Sequence, residues 1–233
     1  SGHITLKAAD NITLNSGVAV TTGTEGTISL DAASAIEMAD GARLTSADGD
    51  IRVEAGTSLL SDTITAGQGS VALIAGTTIA DREGDSEISA SGLLLDAGST
   101  IGTLGNVLNT AVDTLSTDSA GAQFLTETAG VTLGSVTVSV DRVGTDGSTS
   151  ALNKTQEDLS TGTDSDIVLV ATAGTITLND GAGANGTAVS AAGSGNILLD
   201  AQSGSLIANA DILSDSGHIT LKAADNITLN SGV

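Results

Sequence analysis

The chain has 233 residues and a formal net charge of −21, with only 7 basic side chains, which disfavours binding to nucleic acids or to anionic membrane surfaces because both require clustered Lys and Arg. No apolar run is long enough to span a bilayer, and the absence of Cys excludes disulfides and thiolate metal sites. Since Pro, Trp and Tyr are also absent while 39% of the residues are hydrophobic, we expect a narrow core of small aliphatic side chains.

From the amino terminus, apolar and polar residues alternate in short runs that are separated by Gly, Asn and Asp. The first run of each set opens on an aliphatic anchor, and these anchors recur every 20–24 residues: Ile4, Ile28, Ile51, Val71 and Leu93. Alternation with period two is typical of β-strands, and each interval has room for three short strands and three turns. The sequence therefore predicts an all-β fold, a parallel β-helix (β-solenoid) with three short strands per coil.

The rhythm is regular in two regions and loosens between them. It divides the chain into regular β-helix coils at 1–98, irregular coils with a projecting loop at 99–166, regular coils at 167–215, and the start of the next repeat at 216–233. Within the irregular region, the polar stretch 145–166 is predicted to be the loop, with one helical turn over 151–159.

Residues 216–233 repeat residues 1–18 letter for letter, at an offset of 215 residues. Two chance copies of an 18-residue string are not credible, so the repeat predicts a tandem array of 215-residue units. At about 24 residues per coil, each unit should hold roughly nine coils. We expect the array to continue past both ends of this chain, because an open coil exposes sheet edges that proteins normally cover.

Several stretches share the pattern G-x-I-x-L-x-A, followed about eight residues later by I-x-L, among them HITLKAADNITL, GTISLDAASAIEM and GNILLDAQSGSLI. This pattern resembles the filamentous haemagglutinin family of very large bacterial exoproteins, many of which are exported by two-partner secretion. The stretch VLNTAVDTLSTDSAGAQFLTETAGVTLGSV is also similar to a block common in giant bacterial repeat adhesins. The resemblance implies a right-handed β-helix, an extracellular location at the bacterial cell surface, and a stalk or adhesive role.

An acidic run at Asp81, Glu83 and Asp85 is the candidate metal site. Carboxylates at alternate positions could supply the oxygen ligands that Ca²⁺ prefers, although the run matches neither the EF-hand loop nor the glycine-rich calcium nonapeptide. A solvated acidic loop is the alternative. No catalytic or cofactor-binding residues are predicted: the best carboxylate pairing for glycoside cleavage, Asp141 beside Arg142, lacks the aromatic platforms that usually line such clefts.

Outward positions of the predicted strands are mostly polar, but a few coils place large aliphatic side chains there: Ile74, Leu94, Val168, Val170 and Leu198. If the coils stack in register, these side chains align on one side of the solenoid. An apolar patch of this kind usually marks a contact. Two partners fit it, either the irregular segment 99–166 folding back over the stripe, which we favour, or a neighbouring shaft that packs laterally.

These observations predict a non-catalytic structural or adhesive segment of a long extracellular fibre. Its expected partners are copies of itself, stacked end to end and associated laterally, and a host or neighbouring-cell surface; neither nucleic-acid binding nor membrane insertion is expected. A glycan- or receptor-binding module that uses the 99–166 protrusion is the alternative, and a polysaccharide-active β-helix enzyme is a third class.

Overall fold

The computed structural model describes residues 2–82 and 87–230, which form β-strands and no helix. The first three coils contain β1 (Ile4–Ala8), β2 (Ile12–Leu14), β3 (Ala19–Thr21), β4 (Ile28–Ala32), β5 (Ile36–Met38), β6 (Arg43–Thr45), β7 (Ile51–Ala55), β8 (Leu59–Ser61) and β9 (Thr63–Thr65). The middle of the chain contains β10 (Ser70–Ala75), β11 (Ile79–Asp81), β12 (Ile88–Ala97), β13 (Leu108–Ser119), β14 (Gln123–Glu127), β15 (Val131–Leu133), β16 (Val136–Val143) and β17 (Thr149–Gln156). The last strands are β18 (Leu159–Thr161), β19 (Ile167–Ala171), β20 (Ile176–Leu178), β21 (Thr187–Ala191), β22 (Ile197–Ala201), β23 (Leu206–Ala208), β24 (Asp211–Ser214), β25 (Ile219–Ala223) and β26 (Ile227–Leu229). With no helix in these ranges, they also hold none that is long and apolar enough to cross a membrane.

Strands of successive coils pair in parallel and in register, so each inward side chain lies above its counterpart one coil earlier. The column that starts at Ile4 continues through Ile28, Ile51, Val71 and Leu93, which are the predicted anchors. The last four of these side chains have no exposed surface. Among the named strands of the described ranges, β16 and β17 alone pair as antiparallel neighbours. The fold is the predicted all-β parallel solenoid, with its aliphatic core inside the coils.

The turns between strands approach the neighbouring coil closely enough to require glycine. A Cβ atom on Gly76 would lie 2.1 Å from the carbonyl oxygen of Gly56, and a Cβ atom on Gly98 would lie 2.1 Å from the carbonyl oxygen of Gly76. Neither turn can accept a side chain without moving the backbone of the coil below it. Part of the high glycine content therefore comes from stacked turns and not from flexibility.

The coils do not keep one phase along the whole chain. The coil that begins at Leu115 returns to the same column at Leu133, only 18 residues later, and this short coil changes which face the later strands occupy. Ile167, which the sequence pattern equates with Ile4, consequently lies in the column of Ile12. That column passes in eight steps through Ile36, Leu59, Ile79, Ile101, Gln123, Ile167, Ile197 and Ile219.

The two identical segments therefore begin on different faces of the solenoid. Ile4 opens the column of β1, whereas its copy Ile219 lies in the column of Ile12, one strand further around the coil. One 215-residue repeat thus spans eight coils and about one third of another, instead of the predicted nine. Each repeat starts about a third of a turn away from the one before it.

Residues 136–156 leave the solenoid as an antiparallel hairpin in which β16 and β17 pair from Val136–Gln156 to Val143–Thr149. The predicted helical turn at 151–159 is wrong, because most of it lies in β17, whose backbone pairs with β16. A single helical turn gains little against its costly nucleus, whereas a second strand completes a ladder. The predicted loop at 145–166 is correspondingly shorter, since β17 and β18 lie within it.

Candidate interaction surfaces

The β16–β17 hairpin, called the strap below, lies against the outer face of the sheet that contains β1, β4, β7, β10 and β12. Its first strand, β16, crosses these strands from the middle of the chain back towards the first coil. Strap and sheet share an apolar cluster that is separate from the solenoid core and comprises Ala72, Leu94, Val136, Val138 and Val140, with Leu152 packed against it. Burial of these aliphatic side chains holds the strap on the shaft.

The backbone of β16 is bound by side chains from three successive coils. Alternate N–H groups donate to oxygen acceptors that stand in a row on the sheet: Ser139 N to Asp50 Oδ2 (2.6 Å), Asp141 N to Thr27 Oγ1 (2.9 Å) and Val143 N to Thr5 Oγ1 (2.9 Å). A free strand edge normally offers such N–H groups to other chains. Here the shaft itself satisfies the inner edge of the strap.

Charged side chains also fasten the strap. The Arg142 guanidinium lies 3.1 Å from Asp31 Oδ2 and 3.4 Å from Glu54 Oε2, and its Nε donates to Ser29 Oγ at 3.1 Å. Lys154 pairs with Asp96, and His3 Nε2 lies 3.6 Å from Asp141 Oδ2. Two of the chain's 7 basic side chains are thus used here. The Asp141–Arg142 pair considered for glycoside cleavage holds the strap on the shaft.

The predicted lateral-contact residues lie on two faces instead of one. Leu94 is fully buried under the strap, and Ile74 is half-buried on the same sheet. Val168, Val170 and Leu198 are half-buried on β19 and β22, in the columns of Phe124 and Thr126. The expectation that all five align on one side is wrong, because the short coil changes the phase between them. The segment that covers Leu94 does come from the irregular region.

Of the predicted calcium ligands, Asp81 alone falls within the described residues; Glu83 and Asp85 lie outside them. Asp81 is buried, and its Oδ2 accepts hydrogen bonds from the backbone N and Nδ2 of Asn109, both at 3.1 Å. This carboxylate therefore ties the loop before β13 to the solenoid. In the ranges 2–82 and 87–230 no group of three His, Asp or Glu side chains is arranged to hold a metal ion.

A polar layer that sequence reasoning missed interrupts the apolar core where the coil phase changes. Glu127 has no exposed surface; its Oε2 accepts from Thr110 Oγ1 (2.8 Å) and Val112 N (3.1 Å), and its Oε1 accepts from Ala129 N (3.1 Å). Burial raises the pKa of Glu127 from 4.5 to about 7, against the opposing effect of these hydrogen bonds. The signal was present in AQFLTET, where period two places Gln123, Leu125 and Glu127 on one face.

A groove, called the C-terminal groove below, runs along the outer face of β19, β22 and β25. Its lining includes Asp166, Val168, Asn196, Leu198, His218 and Thr220. His218 and Thr220 are the sequence copies of His3 and Thr5, which are half-buried beside the strap. In the second copy both side chains are exposed. The same residues are thus covered on one face of the solenoid and open on another.

The apolar end of the last coil is open as well. Ile227 and Leu229 are 47% and 57% exposed, whereas their copies Ile12 and Leu14 are 9% and 6% exposed because β5 stacks on β2. Identical strands therefore carry a coil in the first copy and leave their apolar edge uncovered in the second. Comparisons with protein-family models, with curated proteins and with solved structures gave no match.

Proposed function

We propose that this chain is a repeat segment of a long extracellular bacterial surface fibre, with a structural and adhesive role and no catalytic one. The observation that carries the proposal is the pair of identical segments. The first copy bears β4 and β5 on its upper face, and the second copy rests on β22 and β23. Together the two copies define both faces of one coil, which is what end-to-end stacking requires.

The packing of the strap supports a structural role over a separate binding module. The protrusion considered as a glycan or receptor site is instead a hairpin that lies flat on the shaft and is bound to β1, β4, β7, β10 and β12. Such a brace resists shear between coils, which suits a stalk. The cell-surface location follows from the resemblance to filamentous haemagglutinins.

The test is labelling of intact, unpermeabilised cells of the producing bacterium with antibodies raised against this chain. We expect surface labelling along filaments that electron microscopy resolves. Labelling that appears only after permeabilisation would contradict a surface role. Labelling of the surface without filaments, together with specific retention of the purified chain on a glycan array, would favour the binding-module alternative.

A further inference from the structure

The first copy of the repeated segment shows what its outer face contacts. Thr5 accepts the N–H of Val143 at 2.9 Å, and His3 Nε2 lies 3.6 Å from the Asp141 carboxylate. Both contacts belong to the end of the strap that reaches the first coil. The turn 144–148 follows Val143, so the direction of β16 carries that turn past the first coil and away from β4.

The second copy shows what lies beneath the same coil. Thr220, the copy of Thr5, stands over Leu198, which stands over Val168. Lys222 donates to Asp200 at 2.6 Å on the coil below, whereas its copy donates to Asp31 on the coil above at 2.8 Å. One lysine thus has a carboxylate partner on each side of its coil.

The glycine that opens the repeated segment also points to a coil beneath it. A Cβ atom on Gly217 would lie 2.0 Å from the carbonyl oxygen of Gly195, whereas nothing lies within 4 Å of a Cβ atom on Gly2. Stacking on a preceding coil explains why this position is Gly in the second copy. The identical Gly2 acquires the same reason only when a coil lies beneath β1.

Superposing the first copy on the second places a following unit, rotated by about a third of a turn. Its β1-type sheet then continues upward from the face that carries Val168, Leu198 and Thr220. Its strap descends that face and reaches the position of Thr220. Leu198 lies one coil further on and Val168 two, at about 4.8 Å per coil, within reach of a turn that extends two or three residues at about 3.3 Å each.

We infer that the C-terminal groove is the docking site for the strap of the following copy of this chain, so that each strap crosses the junction between two units. Val143, which is 40% exposed in the single unit, packs with the turn 144–148 on Leu198 and Val168. Straps of successive units lie on successive faces, about a third of a turn apart, and do not collide. The inference rests on the proposed function, since it requires end-to-end stacking.

The test uses a two-unit protein, residues 1–215 followed by residues 1–233, and the absence of native Cys. A single Leu198→Cys is introduced either in the first unit or in the second, and the rate of reaction with a maleimide is measured. Only the first unit has a following strap. We expect its thiol to react at least about tenfold more slowly than the same thiol in the second unit. Equal rates would overturn the inference.

Two further variants separate this inference from the stacking on which it depends. Leu229→Cys at the junction reports stacking alone: a protected thiol there with a fully reactive thiol at position 198 rejects strap docking, and a reactive thiol at the junction rejects end-to-end stacking itself. Val143→Asp in the second unit should restore the reactivity of the position-198 thiol in the first unit while the junction thiol stays protected. Protection at position 198 that disappears on dilution would assign the groove to lateral contact between shafts and overturn the inference.

Discussion

Glu127 predicts an unusual dependence of stability on pH. In the folded chain its pKa is about 7, compared with 4.5 for an ordinary Glu side chain, so the native state binds this proton more tightly than the unfolded state does. The contribution is fully present below pH 4.5 and is lost as the pH rises through about 7. The difference between the two pKa values corresponds to about 3 kcal/mol of unfolding free energy.

Replacing Glu127 by Gln keeps the shape of the side chain and removes its titration. The carboxamide can still accept from the backbone N–H groups of Val112 and Ala129 and can donate to Thr110 Oγ1. We therefore expect wild type and Glu127→Gln to unfold at similar urea concentrations at pH 4.5. At pH 8 the variant should be more stable by up to about 3 kcal/mol.

Urea unfolding followed by circular dichroism at pH 4.5, 6 and 8 measures the difference. The matched control is Glu25→Gln, because Glu25 is exposed and its replacement should leave the pH dependence of wild type unchanged. If Glu127→Gln loses stability between pH 4.5 and 8 as steeply as wild type, the buried carboxyl is not the cause and the reasoning is refuted.

Three other changes test the packing. Val138→Ala, in the fully buried strap cluster, should lower the unfolding free energy by about 2 kcal/mol, while Val143→Ala, at a partly exposed position, should change it by less than about 0.5 kcal/mol in the single unit; equal effects in urea melts would contradict strap burial. Gly76→Ala should cost more than about 2 kcal/mol because its Cβ meets a carbonyl oxygen at 2.1 Å, whereas Gly105→Ala, with open space around it, should cost less than about 0.5 kcal/mol. Arg142→Ala should destabilise by about 1 kcal/mol at low salt, and this loss should shrink in 1 M NaCl; a loss independent of salt would show that its ion pairs contribute nothing.

The fold could be predicted because stacking imposes its period on the sequence. Every coil must place aliphatic side chains above those of the coil before it, so Ile28, Ile51, Val71 and Leu93 repeat at nearly constant spacing. Period two then identifies the inward side chains. A narrow interior without aromatic rings follows from the same constraint.

The phase change and the strap could not be read from the same pattern. Ile167 and Ile4 begin similar motifs, yet nothing local records that the coil starting at Leu115 closes after 18 residues. The strap alternates like a coil strand in β16, and its partner β17 is polar because it faces water. What distinguishes them is the long-range contact with Ala72 and Leu94, which no local window contains.

The most direct test of end-to-end stacking is the length of proteins with one, two and three 215-residue units, measured by cryo-electron microscopy. Eight coils and about one third, each rising about 4.8 Å, predict a straight rod that lengthens by about 40 Å per added unit, with constant width. Units that appear as separate rods joined at variable angles would contradict the account.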